Sequence, residues 1–190
     1  MNLIAYSEEK LLEFDSEDLS DTDALVILIV DSNPVMKTRL QKLSLLYDRL
    51  YNKTCSITDH NAYFFGGYSD DIEESAVNLV DSGILKEDRQ GYSLTDYGLK
   101  LKKFIKDEKT LDSELKNIDN LKFALSEVPD RNVIGLTYHF YEDTAINSTI
   151  KNSVERLNNS SRLNDAPMSS MSKEEFENYL RNGKKIVITQ

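Results

Sequence analysis

The alternation of apolar and polar positions divides the chain into helix-like and strand-like stretches. From Met1 to Ser20, Leu3, Ile4, Leu11, Leu12 and Phe14 are mixed with Glu8, Glu9, Glu13, Asp15, Glu17 and Asp18. This reads as a loosely held, partly ordered segment with room for one short helix. Asp21-Thr22-Asp23 then forms an N-cap cluster ahead of the unbroken apolar run Ala24–Val30. The β-branched residues of that run favour a strand and the cap favours a helix; periodicity does not separate the two. Pro34 marks the start of the next element, where a missing N–H costs nothing. Met36, Leu40, Leu43, Tyr47 and Leu50 then alternate spacings of four and three, the amphipathic helix period. Asn52 to Gly67 reads as a connection, holding Tyr63-Phe64-Phe65 and a Gly66-Gly67 break.

Ser69 caps a third helix whose first turns carry Asp70, Asp71, Glu73 and Glu74, acids suited to the positive end of the helix dipole. Ile72, Ala76, Leu79 and Val80 form its apolar side, and Gly83 is placed to end it in the left-handed conformation. Ile84–Asp88 and Gly91–Leu94 read as two short strands joined by a tight turn at Arg89-Gln90. Thr95 caps a helix through Leu99, Leu101, Phe104 and Ile105. Helix, glycine, strand, turn, strand and Thr-capped helix together have the layout of a winged helix-turn-helix over residues 21–106.

From Asp107 the pattern changes. Leu111, Leu115, Ile118, Leu121 and Leu125 mark a helix ending at Val128-Pro129. Asp130 caps the apolar segment Val133–Tyr141, and Ile146–Leu157 reads as a helix capped by Ser148. Asn158–Ser170 is a polar linker. Ser172 and Glu175 form a capping box opening the helix Lys173–Arg181, Gly183 stops it, and Ile186-Val187-Ile188 reads as a short strand. There is no internal repeat. The expected fold class is mainly α (α+β): a winged helix with a two-stranded wing, preceded by residues 1–20 and followed by a helical extension over 107–190.

Composition narrows the function classes. The chain is 39% hydrophobic and 29% charged, a globular balance with enough apolar surface for a core. No window approaches the roughly 20 apolar residues of a membrane helix. Met1–Asp15 carries acids rather than the basic start of a signal peptide, so the cytoplasm is the expected compartment. One cysteine, Cys55, excludes an internal disulfide, and one Cys beside two His argues against a structural zinc site. The formal net charge of -10 weighs against phosphate contacts as a main source of affinity, although a local basic patch is what such contacts need.

Several stretches together resemble uncharacterised prokaryotic winged-helix proteins related to the Panacea (SocA-like) antitoxin and YwgA-like groups. They are Thr38-Arg39-Leu40-Gln41-Lys42-Leu43 with Tyr47 a turn later, Phe65–Glu74, Ser82-Gly83-Ile84-Leu85, and Tyr92–Gly98. Gly67 stands where these groups usually have proline. The resemblance covers roughly Ala24 to Phe104. It implies a winged helix in which Asp23–Ser32 is the first helix, and antitoxin, phage-associated or regulatory roles.

Two sets of side chains are candidates for function. Lys37, Arg39, Lys42, Arg49 and Lys53 fall on or beside one flank of the second helix, and with Arg89 at the wing tip they are the candidate nucleic-acid contacts. The bland alternative is a solvated helix flank or internal ion pairing. Lys100, Lys102, Lys103 and Lys106 complement a helix C-terminus and form at most a secondary patch. Asp70, Asp71, Glu73 and Glu74 would sit where a winged helix meets the major groove. Carboxylates there repel phosphates, so these acids are candidates for a protein interface instead. Tyr138 and Tyr141 join that set on aromatic content, although their segment suits a core equally well and the core is the favoured place, since large apolar residues are usually inside.

No catalytic constellation, phosphate loop or cofactor motif occurs. His60 and His139 lack ligand partners at useful spacing, and Cys55 has no cation nearer than Lys53. The expectation is a non-enzymatic winged-helix regulator that binds duplex DNA as a homodimer. The alternative is an antitoxin-like or adaptor module binding a partner protein through its acidic face. A third reading, a small-molecule sensor with the tail as its pocket, has no site in the sequence.

Overall fold

The computed structural model describes residues 19–51, 58–64, 66–107 and 112–189. The expectations for the N-terminal segment up to residue 18, for Lys53 and Cys55, and for Phe65 and Leu111 lie outside the described residues.

Ser20 sets the start of the first helix, one residue before the expected cap cluster. Its hydroxyl accepts from the Asp23 N–H at 3.1 Å, and the Asp23 carboxylate takes the Ser20 N–H in return. Helix α1 (Asp21–Ile29) carries the apolar run, with Leu25 to Ile29 all buried. A helix that is apolar on every side has to be surrounded, and α1 packs against the next four helices in turn. Pro34 does not open the second helix. The chain first runs extended through Val35, whose N–H and C=O exchange hydrogen bonds with Tyr92 at 2.7 and 3.0 Å. Helix α2 (Lys37–Tyr51) begins only after that bridge.

The expected connection before Ser69 contains an antiparallel hairpin, β1 (Asn61–Tyr63) and β2 (Gly66–Tyr68). Gly66, at φ +83°, backs onto the Tyr138 ring so closely that a Cβ would overlap it. Ser69 then caps α3 (Asp70–Asp81) through the Ile72 N–H, and Gly83 adopts φ +75°, both as the pattern predicts. Strands β3 (Leu85–Asp88) and β4 (Gly91–Leu94) pair in the register Leu85↔Leu94 and Asp88↔Gly91. The Thr95 hydroxyl accepts the Gly98 N–H at the start of α4 (Asp96–Asp107).

Beyond it lie α5 (Asp112–Ala124) and α6 (Asp130–Phe140), the latter being the form taken by the apolar segment after Asp130. Pro129 rather than Asp130 occupies the cap position of α6. A 3-10 turn at Glu142–Ala145 delays α7 (Lys151–Ser160) to five residues after Ile146. Ile150 takes its cap position, with no side-chain cap. The expected linker after Asn158 folds into the end of α7, the strands β5 (Arg162–Leu163) and β6 (Ala166–Pro167), and a 3-10 turn. The Ser172–Glu175 capping box opens α8 (Lys173–Arg181) as predicted. The last strand is β7 (Ile188–Thr189), which adds to β5 to give the order β6-β5-β7. The protein is thus mainly helical, with small antiparallel sheets.

The boundary expected near Lys106 does not separate two cores. One apolar cluster runs from Leu25 and Val26 through Leu101 and Ile105 to Leu121, Leu136, Phe176 and Ile186. Phe140 of α6 stacks on Phe176 of α8 with ring centroids 4.1 Å apart. Burial of each such side chain stabilises by about 1.5–3 kcal/mol, so the extension is held by the same core as residues 21–106.

Three cationic side chains serve helix ends, and two of them, Lys122 and Arg39, do so across the two halves of the chain. Lys102 Nζ donates to Leu28 O, Val30 O and the Asp31 carboxylate at 2.6–2.9 Å, and Lys122 reaches Leu28 O and Asp31 beside it. Arg39 donates to Leu125 O, Val128 O and Asp130, spanning the junction of α5 and α6. Carbonyls at buried helix ends need such donors.

The Val35 bridge sets a steric test. Gly91 has φ +123°, and a Cβ there would overlap the Val35 carbonyl; a Cβ on Gly83 meets nothing within 4 Å. Gly91→Ala is expected to lower the unfolding free energy by about 2–4 kcal/mol. Gly83→Ala is expected to cost only the left-handed backbone strain, about 1–2 kcal/mol. Urea unfolding midpoints of the two variants measure the difference, and equal losses would contradict a bridged Val35.

Candidate functional site

Helix α2 is buried on far more of its circumference than a single stripe requires. Every residue from Leu40 to Tyr47 is buried, Gln41, Lys42 and Ser44 included. Leu45 and Leu46, apolar positions off the stripe, were the sequence signal that this helix has no open basic flank. Lys42 is 2% exposed and donates from Nζ to Gly67 O at 2.8 Å, so it offers no surface to a phosphate. Burial lowers its pKa to about 8.

The other cations of the stripe are also engaged. Arg39 is committed to Leu125, Val128 and Asp130. Arg49 pairs with Asp143 at the surface, an arrangement worth at most about 1 kcal/mol, so it is the least committed of the three. Lys37 lies 2.9 Å from Glu87 and 3.6 Å from Glu73, over the Tyr92 ring. The Glu87 hydrogen bond is the main cause of its raised pKa. Arg89 stands exposed in the β3–β4 turn, as expected.

The acids of α3 face outward. Asp70, Asp71 and Glu74 are exposed, and Glu73 is half-buried against Lys37. Tyr138 and Tyr141 do not join them at a surface. Both are buried, with Tyr138 Oη at 2.6 Å from Ser148 Oγ and Tyr141 Oη donating to Glu177 at 3.1 Å. They belong to the interior because α6 passes under the β1–β2 hairpin, where Tyr138 meets Gly66.

Two features escaped sequence reasoning. The first is a cavity of about 200 Å³ bounded by Thr38 and Lys42 of α2, Tyr63 and Tyr68 of the hairpin, and the paired Lys37 and Glu73. The second is a buried polar cluster behind Lys42. Asp48 accepts the Thr58 N–H at 3.1 Å and the Thr58 hydroxyl, and the His60 ring, 4% exposed, lies 3.7 Å from Asp48. His60 Nδ1 sits 3.0 Å from Thr58 Oγ1, and Nε2 sits 3.3 Å from Ser44 Oγ. Burial lowers the His60 pKa to about 4, against the opposing pull of Asp48 and helped by the Lys42 charge. Nothing in sequence spacing joins position 42 to positions 58–60.

Among the described residues no group of three or more His, Cys, Asp or Glu is arranged to hold a metal ion, and no helix is long and apolar enough to cross a membrane.

The His60 shift fixes a pH dependence. The unfolded chain takes up the His60 proton near pH 6.5 and the folded protein only near pH 4. Stability contributed by neutral His60 is therefore present above pH 6.5 and lost as pH falls from 6.5 through 4. Across that window the wild-type unfolding free energy is expected to fall more steeply than that of His60→Gln, by about 1 kcal/mol per pH unit. Urea titrations at a series of pH values check this, and parallel slopes would contradict it.

Compared with known protein families, curated proteins and solved structures, the chain matches none of them.

Proposed function

We propose that residues 21–106 form a winged helix-turn-helix and that the protein is a non-enzymatic interaction module. In this reading it binds a protein partner of basic surface through the acidic face of α3. The fold assignment is supported by the order α1, α2, the inserted β1–β2 hairpin, α3, β3, β4, α4 and by the Val35–Tyr92 bridge, which lays a third extended segment beside the β3–β4 hairpin. The resemblance to SocA-like antitoxin groups points to the same fold and implies antitoxin, phage-associated or regulatory roles. A fold alone does not assign a function.

One observation carries the choice of partner. Asp70, Asp71 and Glu74 project from the helix that would meet DNA, while Arg39 and Lys42 of α2 are turned into the protein. Exposed carboxylates at that position are repelled by phosphates and attract Lys and Arg. Exposed cations available to a duplex include Arg89 and Lys86 on the β3–β4 hairpin, and Lys100 and Lys103 on α4. A regulator using them would need paired half-sites and hence a homodimer.

Fluorescence anisotropy with mixed duplex DNA, from low to physiological salt, tests the choice. The expected result is no saturable binding at physiological salt. A partner that copurifies with the wild type at that salt is expected to be lost with Asp70→Lys/Asp71→Lys/Glu74→Lys, at unchanged melting temperature. Tight duplex binding with a log–log salt slope of several units, abolished by Lys86→Glu/Arg89→Glu, would overturn the proposal in favour of a DNA-binding regulator.

A further inference from the structure

The cavity beside α2 has the composition of a ligand site. Its walls are mostly apolar, formed by the Tyr63 and Tyr68 rings, whose centroids are 5.4 Å apart, the Gly66-Gly67 backbone and the Thr38 side chain. Lys42 is the most buried charged group lining it. An ammonium has three N–H donors, and Gly67 O is the one acceptor Lys42 has among the described residues. A buried cation with donors unspent is costly unless an acceptor or a counter-charge reaches it.

Neither neighbouring carboxylate supplies one. Glu73 is held by Lys37 at 3.6 Å, and Asp48 is occupied by Thr58 and the His60 ring. Lys37 is paired with both Glu73 and Glu87, so among the described residues of the lining Lys42 is the cation with no carboxylate in contact. Apolar walls with few convergent polar groups are the usual make-up of a small-molecule site.

We propose that this cavity binds a small organic carboxylate, its oxygens accepting hydrogen bonds from Lys42 Nζ and its apolar body lying against Tyr63 and Tyr68. The proposal rests on the cavity alone and is independent of what α3 binds. The depressed pKa of Lys42, about 8, adds a consequence: only the protonated amine pairs with the anion, so affinity declines as pH rises through that value. The groups facing Lys42 are Lys37 on its own helix, Glu73 on α3, Tyr63 and Tyr68 on the hairpin, and His60 with Asp48 behind it. Burial keeps His60 neutral at these pH values, and the raised pKa of Tyr68 keeps that phenol protonated there.

The test is amide NMR titration of the full chain with benzoate, its neutral isostere benzyl alcohol, and inorganic phosphate. Benzoate is expected to give saturable shifts at Thr38, Gly67 and Tyr68, weakening by roughly tenfold between pH 7 and 9, with benzyl alcohol showing no such pH dependence. Lys42→Met, which fills the same space without charge, is expected to weaken benzoate by roughly tenfold or more. If that variant does not fold, the pH contrast between benzoate and benzyl alcohol in the wild type decides. No saturable response to benzoate, equal affinity for benzyl alcohol, unchanged binding by a folded Lys42→Met, or a response to phosphate alone would each overturn the assignment.

Discussion

The structure depends on a helix that has no outside. Helix α1 is apolar on every face and buried from Leu25 to Ile29, so it has to be enclosed by other parts of the chain. Enclosure creates a second demand, because the carbonyls at its C-terminal end lie away from water. A buried polar group left without a partner costs about 1–3 kcal/mol. Lys102 and Lys122 meet that demand at Leu28 O, Val30 O and Asp31. Burial opposes the charge on Asp31, yet hydrogen bonds from the two lysines outweigh it and hold its carboxyl below the usual range. Lys102 comes from α4 and Lys122 from α5, so closing off α1 fastens the C-terminal extension to the first half of the chain.

This use of cations shapes the electrostatic exterior. Lys42, Lys102 and Arg39 all serve carbonyls inside the protein or at helix ends. In a chain with 23 Lys and Arg against 33 Asp and Glu, each cation drawn inward leaves the surface more acidic than composition alone suggests. The α3 acids contrast with this, since they suit the positive end of their own helix and can remain solvated. The resulting asymmetry, cations within and carboxylates on α3 without, is the physical basis for reading this face as one that meets a basic partner.

What was legible in the sequence was local. Ser69, Gly83, Thr95 and the Ser172–Glu175 box each act through atoms a few residues away, and each does what its spacing predicts. The β3–β4 hairpin is equally local. The expectations that failed were those decided by distant partners. Val35 became extended rather than the lead-in to a Pro34-started helix because Tyr92, far along the chain, supplies its hydrogen bonds. Lys42 and Arg39 are drawn in by Gly67 and by the α5–α6 junction. Tyr138 does lie in the interior, where large apolar residues usually go, but what covers it is distant too, since Gly66 lets the β1–β2 hairpin close over it. The cavity follows the same rule, since its walls come from α2, the hairpin and α3, and no local pattern in any one of them announces it.

The cavity and the acidic helix share a support. Gln41 grips Ser69 at both its backbone groups, with Nε2 to Ser69 O at 3.0 Å and the Ser69 N–H to Oε1 at 2.9 Å. Ser69 is the cap of α3, so Gln41 fixes where the acidic turn begins. The adjacent Lys42 holds Gly67, two residues before that cap. A short stretch of α2 therefore sets both the inner wall of the cavity and the position of Asp70 and Asp71. A ligand that takes the remaining N–H donors of Lys42 would share that ammonium with Gly67 O, whose strand leads directly into α3. The cavity wall and the start of the acidic helix thus rest on two adjacent side chains of α2.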